Sequence, residues 1–139
     1  MKTEISARPD HLNLSVRSLD ESIQFYGEVF GFEAVERGIS GMGNPFAIVR
    51  SGEFTLCMGE HPDWLLDDGE KTKPARHRMF HLGLAIQDPA QWEKILKRHK
   101  LELAYGGAVR YPHSTSWYVT DPNGYEIEVV HWNNGHQQF

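Results

Sequence analysis

The stretches His11-Leu12-Asn13-Leu14-Ser15-Val16 and His81-Leu82-Gly83-Leu84-Ala85-Ile86 repeat one pattern 70 residues apart. In each, a histidine and two small residues alternate with apolar ones. A period of two marks a strand with one greasy face and one face that is not. An internal repeat outranks other local signals, because it means the chain builds one unit twice.

Working outward, a helix follows each strand. The first spans about Leu19 to Phe30: Asp20 and Glu21 favour its start, Ile23, Tyr26 and Phe30 recur at helical spacing, and Gly31 ends it. The second spans about Pro89 to His99, capped by Asp88-Pro89, with Trp92, Ile95 and Leu96 as its apolar stripe. Three strands are expected after each helix: Phe32 to Arg37, Phe46 to Ser51 and Glu53 to Met58, then Leu103 to Tyr111 (broken at Gly106-Gly107), Thr115 to Thr120 and Tyr125 to Trp132. Ser51-Gly52 and Asp121-Pro122-Asn123-Gly124 mark the turns. Each half therefore reads as β-α-β-β-β, about 8–60 and about 79–132, with a proline- and charge-rich linker at about 61–78. The expected fold is α+β: one domain of 139 residues in which two pseudo-symmetric modules form a metal-binding cleft.

The composition excludes several roles. The net charge of −5 and the scattered 14 Lys and Arg argue against nucleic acid and anionic membranes as partners. No apolar run approaches the ~20 residues that cross a bilayer, and the polar start, Met1 to Asp10, lacks a signal peptide's apolar stretch. The single cysteine, Cys57, fits a reducing, cytoplasmic setting and reads as a small buried hydrophobe within Phe54 to Met58. Eight histidines remain as the place to look for chemistry.

Strand parity places Leu12, Leu14 and Val16 toward a helix, and His11, Asn13 and Ser15 away from it. It likewise places His81, Gly83 and Ala85 on the open face. In Tyr125-Glu126-Ile127-Glu128-Val129-Val130, Ile127 and Val129 take the greasy face, so Glu126 and Glu128 lie opposite. A mid-strand carboxylate is costly to bury unless something positive meets it. A divalent metal held by His11, His81 and Glu128 satisfies all three residues, and two His with one carboxylate suit non-haem Fe(II) with open positions.

From His11 to His131 the chain resembles the vicinal oxygen chelate superfamily, which includes glyoxalase I, fosfomycin-resistance enzymes, extradiol dioxygenases and bleomycin-binding proteins. The likeness is carried by His11 to Val16, by Asp20 to Gly31 with its Phe25-Tyr26, and by His81-Leu82-Gly83-Leu84. It is strongest in Trp117-Tyr118-Val119-Thr120-Asp121-Pro122-Asn123-Gly124-Tyr125-Glu126-Ile127-Glu128. The resemblance implies metal ligands at His11, His81 and Glu128, a small-molecule substrate, and a homodimer, in some relatives with halves exchanged between chains.

The resemblance leaves the reaction open. Counting four residues from Gly124 reaches Glu128, and four from Gly52 reaches Leu56. An apolar side chain thus stands where glyoxalase I enzymes carry a fourth ligand, and Glu60 replaces it only if the strand slips or the loop folds back. His113-Ser114-Thr115-Ser116-Trp117-Tyr118 resembles the extradiol dioxygenase pattern, with Tyr118 orienting substrate and His113 near the proton traffic. Tyr111 stands where that pattern has a small residue. Phe46, Leu56, Met58 and Trp117 are expected to line an apolar pocket for an aromatic ring. The favoured expectation is an Fe(II) dioxygenase acting on a small diol. The alternative is a Mn-, Zn- or Ni-dependent lyase or transferase acting on a thiol adduct, an epoxide or an antibiotic, for which Arg37, Arg50 and Arg110 are the candidate anion anchors. A metal-free binding protein would lack the triad.

Overall fold

In the computed structural model, which describes residues 9–64 and 81–138, the first repeat forms strand β1 (Leu12–Val16), followed by helix α1 (Leu19–Phe30). The helix starts where Ser18 accepts the Glu21 N–H through its side chain and the Glu60 carboxylate accepts the Leu19 N–H at 2.9 Å. It ends at Gly31, whose φ of 76° suits a residue without a Cβ. Strands β2 (Glu33–Ile39), β3 (Pro45–Ser51) and β4 (Phe54–Glu60) complete a four-stranded sheet ordered β1-β4-β3-β2, with β1 parallel to β4. Helix α1 packs on β2, β3 and β4. It buries Leu19, Tyr26 and Val29, and each large apolar side chain so covered contributes about 1.5–3 kcal/mol.

The second repeat builds the same unit. Strand β5 (Leu82–Ala85) leads to helix α2 (Pro89–Arg98), where Asp88 accepts the Gln91 N–H at 3.1 Å. Strands β6 (Val109–Arg110), β7 (Ser114–Thr120) and β8 (Glu126–Trp132) follow, and the sheet order is β5-β8-β7-β6. The chain divides into two compact units, 1–65 and 66–139, and among the described residues each holds one sheet and one α-helix built from one repeat. The α+β class and the β-α-β-β-β pattern read from the sequence are what the structure contains. The expected linker begins with His61 and a 3-10 turn at Pro62–Trp64, and residues 65–78 lie outside the described residues.

Two expectations about elements are corrected. The strand expected over Leu103 to Tyr111 contracts to Val109–Arg110, because Tyr105, Gly106 and Gly107 all have positive φ and turn the chain. The second correction concerns register. Leu12 pairs with Leu56 in unit one, and its repeat counterpart Leu82 pairs with Ile127 in unit two. Leu56 therefore corresponds to Ile127, and the counterpart of Glu128 is Cys57. Counting from the turn glycines fails because Gly52 opens its turn, with Glu53 still between it and Phe54, whereas Gly124 closes its turn and directly precedes Tyr125, the partner of Asp121. A one-residue difference moves a side chain to the opposite face of a sheet.

Candidate metal centre

The β7–β8 turn sets the acidic strand. Asp121, 4% exposed, accepts the N–H groups of Asn123 and Tyr125 through one carboxylate oxygen, each at 2.8 Å, and Gly124 takes a φ of 90°. From this start Ile127 and Val129 are fully buried, while Glu126 and Glu128 lie on the other face. Across the sheet Glu128 stands between Tyr118 on β7 and Gly83 on β5. An added Cβ at Gly83 would meet nothing within 4 Å. Gly83 and Ala85 thus leave room, and His81, Glu128, Val130 and Trp132 border the resulting hollow of about 500 Å³.

His81 lies one residue before β5, and its Nε2 is 3.0 Å from Glu128 Oε1. The other Glu128 oxygen accepts the Ser116 hydroxyl at 2.8 Å, and Ser116 is fully buried. One imidazole nitrogen and one carboxylate oxygen suit a divalent first-row ion. At 3.0 Å the two atoms are near enough that one ion would be held by both. On the far side of the ring, Nδ1 is 3.5 Å from Glu126 Oε2.

His11 belongs to unit one. It too lies one residue before its strand, with its Nδ1 2.6 Å from Asp10 Oδ2. The structure thus brings His81 and Glu128 together within one sheet, and places His11 at the matching point of the other repeat. Within neither unit, among the described residues, do three His, Cys, Asp or Glu side chains converge as a metal cluster.

The remaining candidates separate. Tyr118 reaches the site: its ring lies edge-on to His81 at 5.9 Å, and its hydroxyl shares a 2.7 Å hydrogen bond with the Tyr111 hydroxyl. Burial, then the bond to Tyr111 and the Glu128 charge, push its pKa up, so it stays a neutral phenol. Exposed His113 borders a second hollow, of about 360 Å³, together with Tyr111 and Glu128. Phe46 lines a hollow of about 510 Å³ on unit one with Asn13, Ile48 and Cys57. Leu56 and Trp117 line none of these hollows and are 0% and 5% exposed. Leu56 and Met58 pair with Val49 and Ala47, and Trp117 with Val129, all in the buried rows. Met58 borders the unit-one hollow only from within that row. Glu60 faces α1, where its carboxylate is occupied by the Leu19 N–H.

The anion anchors also fall away from Glu128. Arg37 pairs with Asp20 at 3.0 Å, Arg50 donates to Thr55, and Arg110 pairs with Thr115, out of step with Ser116 and Tyr118. Tyr105 and Glu126 went unnoticed as partners in the sequence, because 21 residues and an irregular turn separate them.

Over 125 residues the chain is 26% identical to the metallothiol transferase FosB of Staphylococcus epidermidis, covering 86% of this chain and 78% of that protein. Its fold matches a glyoxylase/bleomycin resistance protein/dioxygenase domain from Frankia sp. EAN1pec, with a TM-score of 0.75 at 21% identity over 95% of this chain and 96% of that one. It also matches the fosfomycin resistance protein FosX of Listeria monocytogenes, crystallised as an E126Q mutant with Mn(II) and 1S,2S-dihydroxypropylphosphonic acid. That match has a TM-score of 0.68 at 16% identity, over 90% of this chain and 92% of that one. The family profile of the glyoxalases spans residues 8–129, so the chain belongs to the Glyoxalase/Bleomycin resistance protein/Dioxygenase superfamily.

Proposed function

We propose that the protein is a metal-dependent transferase or lyase that activates a small electrophile, such as an epoxide or a thiol adduct, at a divalent ion held by His81 and Glu128. The observation that carries this reading is the 3.0 Å approach of His81 Nε2 to Glu128 Oε1 on one face of one sheet. When bound, an ion of the Mn(II) or Zn(II) kind supplies Lewis acidity, polarising a substrate oxygen without changing oxidation state. Ser116 holds the second Glu128 oxygen, which leaves the first to face the hollow. The neutral Tyr118 hydroxyl is engaged by Tyr111, which favours a bracing role over that of a free substrate-orienting group. This arrangement, with the likeness to a metallothiol transferase, supports the transferase or lyase alternative over ring cleavage and does not favour Fe(II).

The described walls beside Glu128 contain Gln87, His113, His136, Gln137 and Gln138 but no Lys or Arg. They suit a substrate whose groups near the ion are neutral and hydrogen-bonding, more than one anchored there by a phosphonate.

The test is purification without oxygen, reloading with Mn(II), Zn(II), Ni(II) or Fe(II), and assay of two panels: thiols with epoxides, and catechols with dioxygen. Turnover without oxygen on a redox-inert metal is expected, with His81→Ala and Glu128→Ala each losing most bound metal. Ring-opened product formed only with iron and oxygen would overturn the proposal. So would stoichiometric metal in both variants.

A further inference from the structure

His81 stands between the two carboxylates of β8, Glu128 at its Nε2 and Glu126 at its Nδ1, at 3.0 and 3.5 Å. The second contact is long for a hydrogen bond but within ion-pair range. Glu126 is in turn held from outside the sheet: the Tyr105 hydroxyl donates to its Oε1 at 2.5 Å. Tyr105 is brought there at a cost. Its φ is 57°, in the left-handed region that favours glycine, and Gly106 and Gly107 continue the turn at 79° and 116°. The turn is latched to β7 by the Ala104 N–H on the Tyr118 carbonyl at 2.9 Å. The Tyr105 ring meets the Tyr118 ring edge-on at 4.9 Å. A side chain 62% exposed thus has its hydroxyl committed to one carboxylate.

A metal-binding imidazole usually gives its second ring nitrogen to a carboxylate, which fixes the ring and raises its basicity. The same arrangement recurs in the other repeat, where Asp10 meets His11 Nδ1 at 2.6 Å, although its carboxylate comes from before the strand and not from a strand alongside. The geometry points to Glu126, braced by Tyr105, as the positioning pair of His81, turning its Nε2 toward Glu128 and the ion. This rests on the proposal that His81 and Glu128 hold the metal.

The experiment titrates metal-free full-length protein with Zn(II) against a competing chelator and follows melting temperature in parallel. Glu126→Ala is expected to weaken Zn(II) binding about 10- to 100-fold while the metal-free protein melts near the parent temperature. Glu126→Gln, which keeps the size and an accepting oxygen, recovers part of the loss and guards against a folding defect. Tyr105→Phe weakens binding a few-fold on its own and adds nothing in the Glu126→Ala background. Binding by Glu126→Ala within twofold of the parent would overturn the inference, as would an undiminished Tyr105→Phe effect without Glu126. His81→Ala separates the two failures: if it loses metal while the Glu126 variants do not, the metal site stands and only the positioning pair is lost. If it binds as the parent does, both fall.

Discussion

Leu56 and Cys57 are neighbours in sequence, yet the register predicts opposite outcomes when each receives a carboxylate. Leu56 is fully buried between Leu12 and Val49, whereas Cys57 is half-buried on the face it shares with Asn13 and Ile48. In Leu56→Glu the new carboxyl has no cation or donor prepared for it, so it stays protonated. Holding it so at pH 7, against an ordinary value of about 4.3, costs about 3.7 kcal/mol at about 1.36 kcal/mol per pH unit. Lost leucine packing adds about 2 kcal/mol, the low end for large-to-small changes, because two methylenes remain. The sum, about 6 kcal/mol, is a large part of the ~5–15 kcal/mol that holds a domain together. At about 2–4 °C per kcal/mol for a chain of this size, the melting temperature falls by about 12–24 °C, or the variant fails to fold. Cys57→Glu keeps its carboxylate at the hollow, with some repulsion from Asp10, and shifts the melting temperature by less than about 4 °C. Calorimetry of both variants decides the matter. A Leu56→Glu protein melting within about 4 °C of the parent, or a Cys57→Glu protein falling as far as Leu56→Glu, would refute the register on which the comparison of the two repeats rests.

Ser116→Ala removes the buried hydroxyl that donates to Glu128 Oε2, so stability is expected to drop by about 1–3 kcal/mol and Zn(II) affinity by about tenfold, read by melting and by chelator competition. Burial first, and the Asp10 charge second, push the Cys57 thiol above its ordinary 9.0, so thiolate is scarce at neutral pH. Its alkylation by iodoacetamide is therefore expected to be slower than that of a free thiol, with a rate that rises with pH to a midpoint above 9.0 and shifts slightly down in Asp10→Asn. A midpoint below 9.0 would contradict the burial of Cys57 in the sheet face.

Much of this protein was determined locally and could be read from the sequence alone. Helix α1 runs from Leu19 to Phe30 as the apolar spacing and Gly31 indicate, because helical periodicity and a left-handed cap are properties of adjacent residues. Strand parity likewise separated Leu14 and Val16 from Asn13 and Ser15, and Ile127 and Val129 from Glu126 and Glu128. What lay beyond reach was pairing between distant segments. Only the sheet shows that Gly52 opens its turn while Gly124 closes its own, so that Cys57, not Leu56, is the counterpart of Glu128. Only there does Glu60 become the partner of the Leu19 N–H, and Trp117 a member of the buried row. The strained turn that carries Tyr105 to Glu126, and the second carboxylate on His81, belong to the same class. A period of two or of 3.6 is fixed by covalent geometry and survives in any stretch of chain, whereas register depends on loop length and on which strands meet, and these are settled only when the whole sheet closes.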